Sequence, residues 1–180
     1  MPITPVDILK DETIPHNDGS LRVILYWCLY HDILTFPEVP ASPTAYDAAI
    51  TIEEDIVMKT GKKYQKREGT LEANGLDFNI VAERDGRSAE NIHTLQHPGS
   101  NPKLQGFLEW HKNSSLVFIA QHIDGTMKLI GSPGLPASID TGEGKGGLKV
   151  ADSRHIKFTV KSVGRIAAIY KGDVPLTPAA

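Results

Sequence analysis

His93 and His97, four residues apart, are the first pair in this chain whose types and spacing suggest chemistry. On a helix, that spacing places both imidazoles on one face, as in some zinc sites. The metalloprotease pattern also needs a Glu directly after the first His, and Thr94 stands there. A third ligand would have to come from distant His111, His122 or Asp124. The run Gly142-Glu143-Gly144-Lys145-Gly146-Gly147 has the glycines and lysine of a phosphate loop. Only Glu143 separates Gly142 from Gly144-Lys145, however, and Gly146 follows the lysine where Ser or Thr is needed. It reads as a mobile loop tip.

Cys28 lies in Leu25-Tyr26-Trp27-Cys28-Leu29-Tyr30, a setting for core packing rather than for a thiolate. Glu53-Glu54-Asp55 offers carboxylates for glycoside chemistry, but adjacent acids on a strand point to opposite faces. No Gly-x-Ser-x-Gly elbow accompanies the histidines. Lys59, Lys62, Lys63, Lys66 and Arg67 surround Tyr64 and read as a solvated edge strand whose lysines discourage pairing with other chains. No group of residues supports another. The expectation is a non-enzyme with no catalytic residue, metal or cofactor.

The elements that would position these residues are short. Sixteen glycines and twelve prolines divide the chain into many apolar runs between turn signals, the mark of a β-rich domain. Period-2 alternation predicts strands at Leu76 to Ala82 and at His155 to Lys161, the second with one buried and one basic face. Leu116 to Ile123 is apolar on both sides, as a central strand would be. Asp124-Gly125 then predicts a type I′ hairpin into Thr126 to Ile130. Leu21 to Tyr30, Ile50 to Met58 and Tyr64 to Leu71 are further strands. One helix is predicted after Asn101, with Pro102 at its first position and Leu104, Phe107, Leu108 and His111 on one face. A second is predicted at Ser88 to His97, stopped by Pro98.

The fold expected is mainly β: one domain over residues 1–180, an antiparallel β-sandwich or barrel with one or two helices, extended loops and arms. The irregular parts are the proline-rich segment 36–43, the Gly/Pro-rich loop 131–147 and the C-terminal arm 171–180. The 180 residues are 40% hydrophobic and suffice for one core. A formal net charge of −3 argues against a dedicated nucleic-acid binder. A single cysteine excludes an internal disulfide framework and any multi-cysteine zinc site. The longest apolar run, Val23 to Tyr30, has eight residues, against about 20 for a membrane-spanning helix. Met1 to Pro5 lacks the basic and apolar regions of a signal peptide, so synthesis and assembly in a reducing cytoplasm are expected.

The stretch from Leu116 through His122-Ile123-Asp124-Gly125 to Leu129-Ile130-Gly131-Ser132-Pro133, then the glycine-rich loop and Ser153 to Val160, resembles structural proteins in phage and prophage tail modules of Bacteroides-type bacteria. In these an apolar strand, Asp/Asn-Gly, a strand and Leu-Ile/Val-Gly precede a loop and an amphipathic strand. Thr60-Gly61-Lys62-Lys63-Tyr64 and Gly69-Thr70-Leu71 fit the same layout. The resemblance covers about the second half of the chain. It implies a tail-tube-like or connector-like β-sandwich subunit, similar to tube proteins of contractile injection systems that stack as hexameric rings.

The implied partners are other copies of the chain, within and between rings, and other tail or connector proteins. DNA would pass non-specifically through the lumen, no membrane is involved, and the location is the virion. The contacts expected are Phe36, Pro37, Val39 and Pro40; Pro133, Leu135, Pro136 and Lys145; Lys157 and Lys161 on the basic strand face; and Leu176 on the arm. The alternatives are a head–tail connector or tail terminator, and a β-barrel module binding a small ligand or carbohydrate between Tyr26, Trp27 and Trp110.

Overall fold

A computed structural model describes residues 21–70, 72–146 and 154–179. The chain is mainly β with one α-helix. The elements run β1 (Leu21–Leu29), β2 (Ile33–Thr35), β3 (Thr51–Ile52), β4 (Val57–Met58), β5 (Gln65–Glu68), β6 (Gly75–Val81), β7 (Ser88–Pro98), α1 (Pro102–His111), β8 (Leu116–His122), β9 (Met127–Ile130), β10 (Ser138–Lys145), β11 (His155–Gly164) and β12 (Ala168–Tyr170). Single helical turns occupy Tyr30–Asp32 and Ala48–Ile50. A six-stranded sheet has the order β3-β12-β9-β8-β1-β5, a four-stranded sheet the order β10-β11-β7-β6, and β2 pairs with β4. Every described pairing is antiparallel except β12 with β3.

The six-stranded sheet has a core on each face, because β8 is apolar in both directions: Leu116 to Ala120 are all buried. Leu116, Phe118 and Ala120 meet Leu25, Leu95, Ile130, Phe158 and Val160 between the two sheets. Val117 and Ile119 face the other way, onto Cys28, Ile52, Ile56, Met58, Tyr64, Leu129 and Tyr170. Helix α1 closes one side of the first core. Its Asn101 cap accepts the Lys103 N–H at 2.9 Å, and Leu104 is buried. Phe107 packs edge-on against Trp27 at 4.7 Å.

Several local expectations change in the folded chain. Ser88 to His97 belongs to a strand, not a helix: Ala89, Asn91, His93 and Leu95 are buried in alternation, with β6 and β11 bonded on either side. The i, i+4 histidines and the closing proline suit either structure, and two partner strands decide it. Ile50 to Met58 is broken into β3 and β4 by a turn carrying the acids 53–55. The Asp124 turn has three residues, not two. Only Gly125 has positive φ (+95°), and the His122 N–H bonds Thr126 O at 2.8 Å, which suits a type I turn followed by a left-handed glycine. About half of the segment 131–147 is not a loop either. Residues 138–145 form β10 along β11, while Gly147 lies outside the described residues, as do Leu71 and Ser153.

Candidate functional site

A cleft of about 640 Å³ opens where the proline-rich segment, the loop before β10 and the β11–β12 corner meet. Phe36, Pro37 and Val39 form one wall, Pro133 and Leu135 another, and Val163 to Ala168 the floor. Residues about a hundred positions apart are held together by small polar links. The Gly134 N–H donates to Tyr30 Oη at 3.0 Å, and the Tyr30 ring lies 6.2 Å from Phe36. The Ser132 and Leu135 backbones bond reciprocally at 3.0 Å, closing the loop on itself. Asn91 fixes the corner. Its amide donates to Arg165 O at 2.8 Å and Ser162 Oγ at 3.2 Å, and its oxygen accepts the Ala167 N–H at 2.9 Å. Five of the expected contact residues thus share one apolar site, with Arg87, Arg165 and Glu38 at its margin.

The other expected contacts lie elsewhere. Pro40 is exposed and outside the cleft, and Pro136 is half-buried beside it. The arm from Lys171 crosses its own domain. The Tyr64 N–H donates to Pro175 O at 2.9 Å, Ala179 exchanges backbone bonds with Gly61 and Lys62, and Val174 and Ala179 pack on the second core. Leu176 remains 43% exposed.

Lys145, Lys157 and Lys161 stand on the outer face of the four-stranded sheet. That face is not basic as a whole, because carboxylates lie among the lysines, and Glu143 stands 3.9 Å from Lys145 on the same strand. Lys161 pairs with Glu90, which holds its ammonium above the usual lysine range, and Glu143 lies opposite Lys157. Asp77 on β6 and Asp140, which acts on Lys161 from β10, add further carboxylates around the three ammonium groups, with Asn79, Gln96, Thr141 and Thr159 on the same face. Both edge strands of this sheet, β6 and β10, have one side unpaired among the described strands. On the inner side of β6, Phe78 and Ile80 are 54% and 64% exposed, because the six-stranded sheet does not reach them.

The chemical candidates separate in space. In a strand, four residues span about 13 Å, so His93 and His97 cannot share a metal ion. His97 is spent on structure: Nδ1 donates to Glu68 O at 3.1 Å, and Nε2 faces the Asn101 amide at 3.4 Å. No group of three or more His, Cys, Asp or Glu side chains placed to hold a metal occurs among the described residues. Cys28 is buried, and burial pushes its thiol up to about 12. Tyr26, Trp27 and Trp110 do not form one pocket. Trp27 is under α1, Tyr26 is on the opposite sheet face, and Trp110 is 83% exposed. Asp55 accepts the Asp173 N–H at 2.7 Å, so this acid ties down the arm.

In sequence Arg67 belongs with the surface lysines, and the fold turns it inward. Its register partner Leu25 lies in the core between the sheets, and its guanidinium stacks 4.1 Å from the Phe158 ring centre. Burial lowers it to about 10. Strand alternation opposite Leu25 is the signal that places it, and it cannot be used until the β1–β5 register is known. Buried His93 bonds Gly75 O through Nδ1 at 2.9 Å, and burial first, then Arg67 and His122, depress it to about 4. No helix among the described residues is long and apolar enough to cross a membrane. No protein-family model, curated protein or solved structure matches this chain.

Proposed function

We propose that this chain is a structural subunit of a phage-like tail, assembling through stacked homo-oligomeric rings, hexameric as the tail-protein resemblance implies, into a tube. The observation that carries the reading is the four-stranded sheet, with two edges unpaired among the described strands and a polar outer face of mixed charge. An unpaired edge is a template for another strand. The edges differ: β6 brings Phe78 and Ile80, and β10 brings glycines and charges. Joining β6 of one copy to β10 of the next is a head-to-tail contact, and a constant rotation closes it into a ring. The outer faces then line the channel. Their mixed charge suits passage of a polyanion, which needs net positive charge to be held.

Particle mass and electron microscopy of the full chain test this. Rings or tubes are expected, and Phe78→Asp combined with Ile80→Asp should give monomers that keep their β spectrum. Single rings that never stack would favour a head–tail connector or terminator. A chain that stays monomeric at high concentration in every salt sinks the reading. The cleft supports a second reading, a module for a small apolar ligand, since its volume is in the usual range for such sites. Thermal-shift screening of the unaltered chain, whose cleft keeps Ile80, tests that separately.

A further inference from the structure

Arg67 Nη1 and Nη2, Thr70 Oγ1 and His93 Nε2 are all shielded from solvent, and none has a hydrogen-bond partner. His93 is 2% exposed. The three residues belong to one neighbourhood. Arg67 covers Phe158, Phe158 pairs with Leu95, and His93 is the next inward residue of β7. The Thr70 N–H donates to Gln96 O at 2.8 Å, which fixes it against the same strand. A buried guanidinium without a counter-charge is costly, and stacking on an aromatic ring returns only part of that cost. Nearby acids are engaged elsewhere. Glu68 pairs with Lys66, and Glu90 with Lys161. The remaining charged groups on this face of the six-stranded sheet are mostly basic. Lys128 lies in the cross-strand row Arg67–Leu25–Ala120–Lys128, and His122 is two residues from Ala120, with Asp124 beyond it at the turn.

We propose that Arg67, Thr70 and His93 form an oxyanion-binding site that takes a carboxylate or phosphate-type group. The oxyanion accepts from both guanidinium nitrogens and from the Thr70 hydroxyl. Because Nδ1 of His93 already donates to Gly75 O, Nε2 is the bare nitrogen. A proton shared between the bound oxyanion and Nε2 satisfies it without any bond being broken elsewhere. Two sources of this group are available. The first twenty residues carry Asp7, Asp11, Glu12 and Asp18 against Lys10, and the chain enters the fold at Leu21, which pairs with His122 at this end of the sandwich. The other source is a free carboxylate or phosphate in solution. The site does not depend on ring formation, which is read from particle size, so either proposal can fail alone.

The test titrates the full chain with acetate and with inorganic phosphate, using chloride at matched ionic strength as the control. The readouts are the thermal midpoint and the His93 Nε2 nitrogen shift, in wild type and in a chain carrying Asp7→Asn, Asp11→Asn, Glu12→Gln and Asp18→Asn. A solute-filled site gives a midpoint rise of about 5 °C or more at a hundredfold excess over the dissociation constant in both chains, with His93 Nε2 moving toward its protonated position. A site filled by the chain's own acids gives a lower midpoint in the fourfold variant, restored by acetate or phosphate, and a wild type that does not respond. In either case Arg67→Met, which keeps the stem over Phe158, abolishes the response. If neither chain responds beyond chloride, water alone fills the gap and the proposal is overturned.

Discussion

The Tyr170 hydroxyl accepts the Ile56 N–H at 3.0 Å and donates to Asp173 O at 2.8 Å, so one side chain from β12 links the acidic turn to the C-terminal arm. Tyr170 is 1% exposed, and Ile56 is in the same core. Tyr170→Phe keeps the ring but leaves the buried Ile56 N–H and Asp173 O without their partner. A loss of about 1–3 kcal/mol is expected in urea unfolding, together with faster proteolysis after Lys171. An unchanged midpoint would mean that solvent replaces the hydroxyl.

Gly164 ends β11 with φ at +134°, and a Cβ there would stand 2.8 Å from Leu135 Cδ1. Gly164→Ala therefore strains the backbone and pushes the cleft wall outward. The expected cost is about 1–3 kcal/mol, with weaker ring or tube formation if the cleft serves assembly. Gly134→Ala is the useful contrast. It also has positive φ, but nothing lies within 4 Å of its Cβ position, so it should report backbone strain alone.

His93 makes stability depend on pH with a defined sign. Its folded pKa is depressed by burial to about 4 from the usual 6.5 of an imidazole, so the unfolded chain binds the proton more readily. Its contribution is complete above about 6.5, falls as pH drops through that value, and levels below about 4. The span is about 3 kcal/mol at most. Urea midpoints at stepped pH should show this slope, and His93→Leu should flatten it. A bound oxyanion at Arg67 would shift the slope to lower amplitude, because it favours the protonated imidazole.

Cys28 should be inert in the native chain. Its thiol is buried between Tyr64 and the sheet and pushed up to about 12, so almost no thiolate exists near neutral pH. Iodoacetamide should label it only at the rate of unfolding. Labelling within minutes under native conditions would place the side chain outside the core.

Much of this fold is legible in short stretches of sequence, because the causes are local. Asn101-Pro102 starts a helix by filling orphan N–H groups within two residues. Asp124-Gly125 turns the chain whatever surrounds it, although the loop length was not visible, since it depends on which residues of β8 and β9 pair. Leu116 to Ala120 announces a strand covered on both faces. The cleft was half legible: proline-rich 36–43 and loop 131–136 each stood out as irregular, but nothing in either names the other.

What the tertiary structure alone decided follows from pairing. Ser88 to Pro98 is a strand because β6 and β11 take its backbone groups, and that separates two histidines a helix would have joined. Arg67 sits among lysines in sequence, yet its register opposite Leu25 points it into the core. Phe78 and Ile80 alternate like buried residues, yet no second sheet among the described residues covers them. Alternation along the chain says which side chains share a face, while only the packing of strands distant in sequence says what that face meets.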